Sequence, residues 1–208
     1  MEEIKIISKA LIELEKFMNG NRGKNLTELG NQYIGKGGDE ISPNKSIYEA
    51  AQIIKNASAQ IDEIVHAFGI INCLPSILQK DEIIESLSLG SGASGEGIDL
   101  TTNKRIAEFK FSKWKEGSAN GTRKRAVFAD YVSLLLNNNF RKKELYVFDA
   151  ERVIDYFQSK RARWKNVLSK QPELLSRLQS EDIEGEYLCD VYSPYEIEIR
   201  DIKDYLNA

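Results

Sequence analysis

The sequence predicts an α/β domain in which helices flank a mixed sheet, preceded by a helical extension. Three observations predict it. Residues 4–18 and 46–74 carry apolar side chains at helical spacing. Residues 86–111 change to strand-like alternation interrupted by glycine and asparagine turns. From 122 onward, helical and strand-like segments alternate. The 122–136 segment is long enough to be a crossover, so the strand after it should lie parallel to the strand before it, while the earlier strands, joined by short turns, should be antiparallel.

The elements follow in order. Ile4, Ile7, Leu11, Leu14 and Phe17 recur every three or four positions, which predicts an amphipathic helix ended by Gly20. Residues 19–44 contain six glycines and Pro43, the composition of a loop, with a short helix near 26–33. Gly37-Gly38 reads as a loop tip, because no strand precedes it and no Lys-Ser/Thr follows as in a phosphate cradle. A second helix runs from Ser46 to about Leu74 and breaks at Pro75. Strands are predicted at 86–89, 98–101 and 105–111, the last two forming a hairpin at Asn103-Lys104, with a glycine and serine loop over 90–97. A helix over 122–136, a strand over 144–148, a helix from Ala150 through about Leu168 and a short helix near 172–179 come next. Strands near 187–192 and 197–199 complete the order. The expected division is 1–44, a helix and glycine-rich loop, and 45–208, the α/β domain.

The composition is that of a folded protein: 208 residues, 41% hydrophobic, 29% charged and only four prolines exclude disordered and fibrous classes. No apolar run approaches 18 residues, and Met1-Glu2-Glu3-Ile4-Lys5 lacks the basic-then-apolar layout of a secretory signal, so a cytoplasmic protein without a membrane partner is expected. Cys73 and Cys189 are expected as reduced thiols, and with a single histidine they offer no zinc set. The net charge of −3 hides an asymmetry. Residues 104–170 hold 17 basic against 7 acidic side chains, and the rest of the chain 12 against 25. A basic segment fits an anionic partner, although any one run, such as Arg141-Lys142-Lys143, reads more readily as a solvated face.

The chemistry centres on the hairpin. Period two places Ile106, Glu108, Lys110 and Ser112 on one face of the strand, and Arg105, Ala107, Phe109 and Phe111 on the other. A two-residue turn at Asn103-Lys104 sets Thr101 opposite Ile106, Leu100 opposite Ala107, and Asp99 opposite Glu108. Opposed carboxylates repel, and a lysine two residues along relieves that only in part, so a divalent cation accounts for keeping both. Asp99 and Glu108 are then metal ligands, for Mg²⁺ with Mn²⁺ as a substitute. Lys110 orients the attacking water or stabilises charge on a phosphate. From spacing alone, an exposed cross-strand Glu/Lys patch fits as well.

Asp99, eight intervening residues, then Glu108-Phe109-Lys110 on a β-hairpin between helices resembles the PD-(D/E)xK nuclease superfamily over roughly residues 48–150. Ile98 stands where the motif has proline. The resemblance implies a restriction endonuclease-like fold with an αβββαβ core, the order already read from periodicity. It also implies a magnesium-dependent nuclease cleaving phosphodiester bonds of DNA in preference to RNA, with endonuclease favoured over exonuclease. Members often add a glutamate from the preceding helix. Glu63 is the matching candidate, sharing a helical stripe with His66, Ala67 and Ile70 opposite Ile61, Ile64, Val65 and Phe68. Both stripes are partly apolar, so the helix is expected to be buried on two sides, and Glu82, Glu85 and Glu96 are rivals for the extra acid.

Nucleic-acid contacts are assigned to Lys113, Lys115, Arg123, Lys124 and Arg125, which cluster after the motif and at the start of the next helix. Lys160-Arg161-Ala162-Arg163-Trp164-Lys165 could line a nucleic-acid channel, with Trp164 as a stacking platform or a core anchor. The competing expectations are a non-catalytic nucleic-acid or protein-binding module with the same fold, and a sheet used only as an interaction surface. Two cuts on a duplex would suit a homodimer.

Overall fold

The computed structural model describes residues 2–18, 22–36, 40, 45–90, 98–113, 120–193 and 195–206. Its elements are α1 (Glu2–Met18), α2 (Arg22–Asn31), α3 (Lys45–Ile77), β1 (Ile84–Leu87), β2 (Leu100–Thr102), β3 (Arg105–Lys110) and α4 (Asn120–Leu135), followed by β4 (Lys142–Val147), α5 (Ala150–Gln158), α6 (Trp164–Val167), α7 (Pro172–Ser180), α8 (Leu188–Val191), β5 (Ile197–Asp201) and α9 (Lys203–Leu206). They form two compact units, Met1–Asp62 and Glu63–Ala208, divided within α3. In the first, Ala10, Leu14 and Ala50 are buried together against Ile47, Ile53 and Ile54, and the Ser46 hydroxyl donates to Glu13.

The second unit is built on a five-stranded sheet in the order β1-β2-β3-β4-β5. β1 to β3 form an antiparallel meander, and β4 and β5 continue parallel to β3. The mixed sheet follows from the connections: the β2–β3 turn is two residues long, whereas α4 carries the chain back across the sheet before β4. Leu100 pairs with Ala107 and Thr101 with Ile106, the register expected from the turn. Each face of β3 is covered. Ile106 packs with Val127, Phe128 and Tyr131 of α4 and with Phe157 of α5, while Ala107 and Phe109 pack with Ile70, Cys73 and Ile77 of α3. That two-sided burial explains why β3 is buried along nearly its whole length. Burial pushes the Cys73 thiol up to about 11, and Cys73 and Cys189 are both free. No helix among the described residues is long and apolar enough to cross a membrane.

Four local expectations are corrected. Residues 188–191 are helical, not extended: Leu188 and Val191 lie three apart, both insert into the core, and the Asp190 carboxylate accepts from the Tyr187 N–H, closing the first turn. Of the expected strand, only the isolated bridge Arg163–Tyr187 remains. The helix predicted from Ala150 to Leu168 is two helices, because backbone groups of 162–164 are drawn to 186–188 instead: Trp164 N–H donates to Glu186, and Leu188 N–H to Ala162. α3 passes Pro75 and ends at Ile77, whose side chain is buried. Finally, the 61–70 stretch of α3 is not buried on two sides. His66, Ala67, Gly69 and Ile70 face inward, while Ile64, Val65 and Phe68 stay exposed.

On the α3 face, an ionic network fixes the meander to β4. Arg105 donates through Nε and Nη2 to both oxygens of Glu82, at 2.6 and 2.7 Å, and through Nη1 to Glu144 at 2.6 Å. Glu144 also accepts from Tyr146, Arg200 and Lys142. Burial pushes the Glu82 carboxyl up, but hydrogen bonds from Arg105, the Gln79 N–H and the Thr102 hydroxyl outweigh it and hold it down to about 2, against an ordinary 4.5. A depressed carboxyl contributes stability above its unfolded value and loses it as the folded form protonates. Unfolding free energy is therefore expected to fall as pH drops from about 4.5 toward about 2. Urea titrations across that window should show a shallower fall in Glu82→Gln; identical slopes would refute the assignment.

Candidate active site

The β2–β3 hairpin brings Asp99 and Glu108 together. Asp99 immediately precedes β2. Its Oδ2 accepts from the Phe109 N–H at 2.8 Å, and its Oδ1 lies 3.2 Å from Nε2 of His66 on α3. Glu108 is 4% exposed and lies close to the Asp99 carboxyl. Burial, then the neighbouring Asp99 and Asp130, pushes its carboxyl far above the usual carboxylate range, with Lys110 opposing. Two acidic groups here cannot both ionise without a cation between or beside them.

Lys110, on the same face as Glu108, reaches α4: its Nζ lies 3.0 Å from Oδ2 of Asp130. That oxygen is sealed from solvent, with Lys110 as its ion-pair partner. Burial alone would lower the Lys110 ammonium, but Asp130, Glu108 and Asp99 outweigh it and raise it. Lys110 is therefore a fixed positive charge at neutral pH. Asp130 is itself raised by burial, against the pull of Lys110.

Sequence reasoning missed Asp130 and gave His66 no part in binding Asp99. Asp130 lies within Ala129-Asp130-Tyr131, one acid inside an apolar helical run, and that buried placement was the available signal. Glu63 belongs to α3 one turn before His66 and is exposed. Burial is the largest influence on both Glu108 and Asp130; Asp99, Asp130 and Lys110 follow for Glu108, and Lys110, Asp99 and His66 for Asp130, so Asp130 is a further acidic group at the site. The rivals are engaged elsewhere: Glu82 with Arg105, and Glu85 with both terminal nitrogens of Arg141. Glu96, Lys115 and most of the 90–97 loop, like Gly37-Gly38, lie outside the described residues. Among the expected phosphate contacts, Lys113 sits over the Phe148 ring at 5.2 Å, Lys124 over Tyr156 at 4.9 Å, and Arg123 and Arg125 occupy the first turns of α4. Trp164 is the core anchor, 3% exposed, with Nε1 donating to the Gly185 carbonyl.

The position of His66 depends on a glycine. Its ring meets Phe111 edge to face at 5.9 Å, and a methyl group at Gly69, one turn along α3, would overlap the Phe111 ring. Gly69→Ala is expected to destabilise the protein by about 1–3 kcal/mol through this overlap. It should also displace the His66 ring resonances in a ¹H–¹⁵N spectrum. Wild-type stability with an unmoved His66 would contradict this account.

Among the described residues, no three His, Cys, Asp or Glu side chains are grouped to hold a metal ion by themselves. The donor set nevertheless fits a hard divalent cation. Such ions take one or two carboxylates and complete their shell with water and phosphate oxygens, and Asp99 and Glu108 supply two neighbouring carboxyl groups near a lysine. No family model, curated protein or solved structure matches the chain.

Proposed function

We propose that the protein is a divalent-metal-dependent nuclease with a restriction endonuclease-like arrangement, acting on DNA in preference to RNA. The observation that carries this reading is the proximity of Asp99, just before β2, to Glu108 on β3, with Lys110 two positions further along the same strand face. The order α3, β1-β2-β3, α4, β4 agrees with an αβββαβ core.

Asp99 and Glu108 would hold Mg²⁺ or Mn²⁺. When bound, the cation supplies Lewis acidity toward a phosphate oxygen and a more acidic water. The other roles belong to the chain. The Phe109 N–H and His66 fix the two oxygens of Asp99, so the carboxyl is oriented before any ligand arrives. The Lys110 ammonium, kept charged by Asp130, stabilises negative charge on the phosphate during attack. A group held in that state does not act as a general base, so of the two roles open to Lys110, charge stabilisation is favoured.

A second reading, a nucleic-acid-binding module without catalysis, draws on one observation: Lys110 is already paired with Asp130, and both Asp99 oxygens already have partners. Cleavage of supercoiled, linear and single-stranded DNA, with an RNA control, separates the two. Wild type is expected to cut in Mg²⁺ or Mn²⁺ and not in EDTA, and Asp99→Asn to lose cutting while retaining binding. If nothing is cut and calorimetry detects no metal binding, the nuclease reading falls.

A further inference from the structure

We propose that a basic cleft between α4 and the α5–α6 connection grips the phosphodiester backbone of a bound nucleic acid. The grip does not depend on the nuclease reading. The cleft encloses about 600 Å³. Its lining includes Lys124 and Arg125 from α4 and Lys160, Arg161 and Arg163 from the connection, five cations with no carboxylate among the residues that form the wall. Glu186 pairs with Arg163 at 3.4 Å from outside, where both side chains are largely exposed, so it offsets little of this charge.

The fold builds this concentration of charge. Had the helix that starts at Ala150 continued, residues 160–163 would have been distributed around its axis. Instead α5 stops at Gln158, and Arg163 is bridged to Tyr187, which holds the connection against the start of α4. Lys160 and Arg161 are exposed, while Tyr156 and Tyr187 provide aromatic wall. Cations gathered in a concave surface repel one another, and a polyanion reverses the sign of that interaction. A nucleic-acid strand matches the chemistry: a row of phosphates for the cations, with sugar and base surfaces for the tyrosines.

The contacts are to backbone, so the cleft contributes affinity and register rather than sequence choice.

The test is fluorescence anisotropy of a labelled 20-base-pair duplex in EDTA over a salt series, which separates binding from cutting. Lys160→Ala/Arg161→Ala removes two exposed cleft cations. Lys80→Ala/Lys170→Ala removes two exposed cations elsewhere and controls for net charge. The cleft variant is expected to bind about tenfold more weakly at low salt, with the slope of log affinity against log salt reduced by about 2; the control should stay within about twofold of wild type. Thermal melts confirm that both variants are folded. Equal affinity and slope for cleft variant and control would overturn the cleft while leaving cleavage by wild type intact. Cleft-dependent binding without cleavage in any metal would keep the cleft and overturn the nuclease reading. No binding by wild type overturns the cleft proposal. Displacement of the duplex by inorganic phosphate at low millimolar concentration would also overturn it, because a site for free phosphate would not need the row of cations.

Discussion

Lys110→Ala is expected to reduce metal-dependent DNA cleavage by roughly 10²–10³-fold, the loss typical when one preorganised charge-stabilising donor is removed. The fall should appear in kcat, with KM and EDTA-stage binding little changed, since the ammonium acts on charge that develops during the reaction. Removing it also leaves Asp130 without its partner at a sealed oxygen. The variant could therefore lose activity by loosening α4 instead. Lys110→Ala/Asp130→Asn separates the causes, because the amide needs no counter-charge. If the double variant regains stability but not cleavage, the ammonium itself is required. If it regains cleavage, Lys110 serves only to neutralise Asp130, and the catalytic role is wrong.

Arg105→Met is expected to be the most destabilising single change away from the site. Arg105 is 4% exposed and donates to two carboxylates, Glu82 and Glu144, whose side chains are fully buried. Deleting that cation strands Glu82, while Glu144 keeps Lys142, Arg200 and Tyr146, and breaking a buried pair in this way costs about 3–5 kcal/mol. Domains of this size are stable by only about 5–15 kcal/mol, so the midpoint of thermal unfolding should fall by about 10 °C. The large number measures stranded charge rather than the worth of the network. Accordingly, Arg105→Met/Glu82→Gln should recover part of the loss. Urea denaturation followed by circular dichroism checks both variants, and a loss below about 1 kcal/mol for the single change would sink the argument.

The part of this architecture that was legible in the sequence is the part set by short-range rules. Asn103-Lys104 fixes a two-residue turn, the turn fixes the register, and the register places Asp99 beside Glu108 with Lys110 along the same face. The crossover helix made β4 parallel to β3 for a similarly local reason. What sequence could not supply depends on contacts between distant segments. Tyr187-Leu188-Cys189-Asp190-Val191-Tyr192 has strand-like composition, yet Leu188 and Val191 are buried together only if the segment coils. Asp130 became a partner of Lys110 because α4 crosses back over β3, a fact carried by packing across the whole sheet. Glu63 fits the helical wheel, but which residues of α3 face the sheet was decided by the fit of Gly69, Ile70, Cys73 and Ile77 against Phe109 and Phe111.

The order of strands across the sheet is the order of strands along the chain. No strand has to be threaded between two that are already in place. As the polypeptide leaves the ribosome, each new strand finds its template already exposed as the current edge, first by a hairpin and later by a helical crossover. Such neighbour-to-neighbour growth leaves only the latest edge open to wrong partners at any moment. Asp99, Glu108 and Lys110 lie at the β2–β3 hairpin, the shortest connection between paired strands in the sheet.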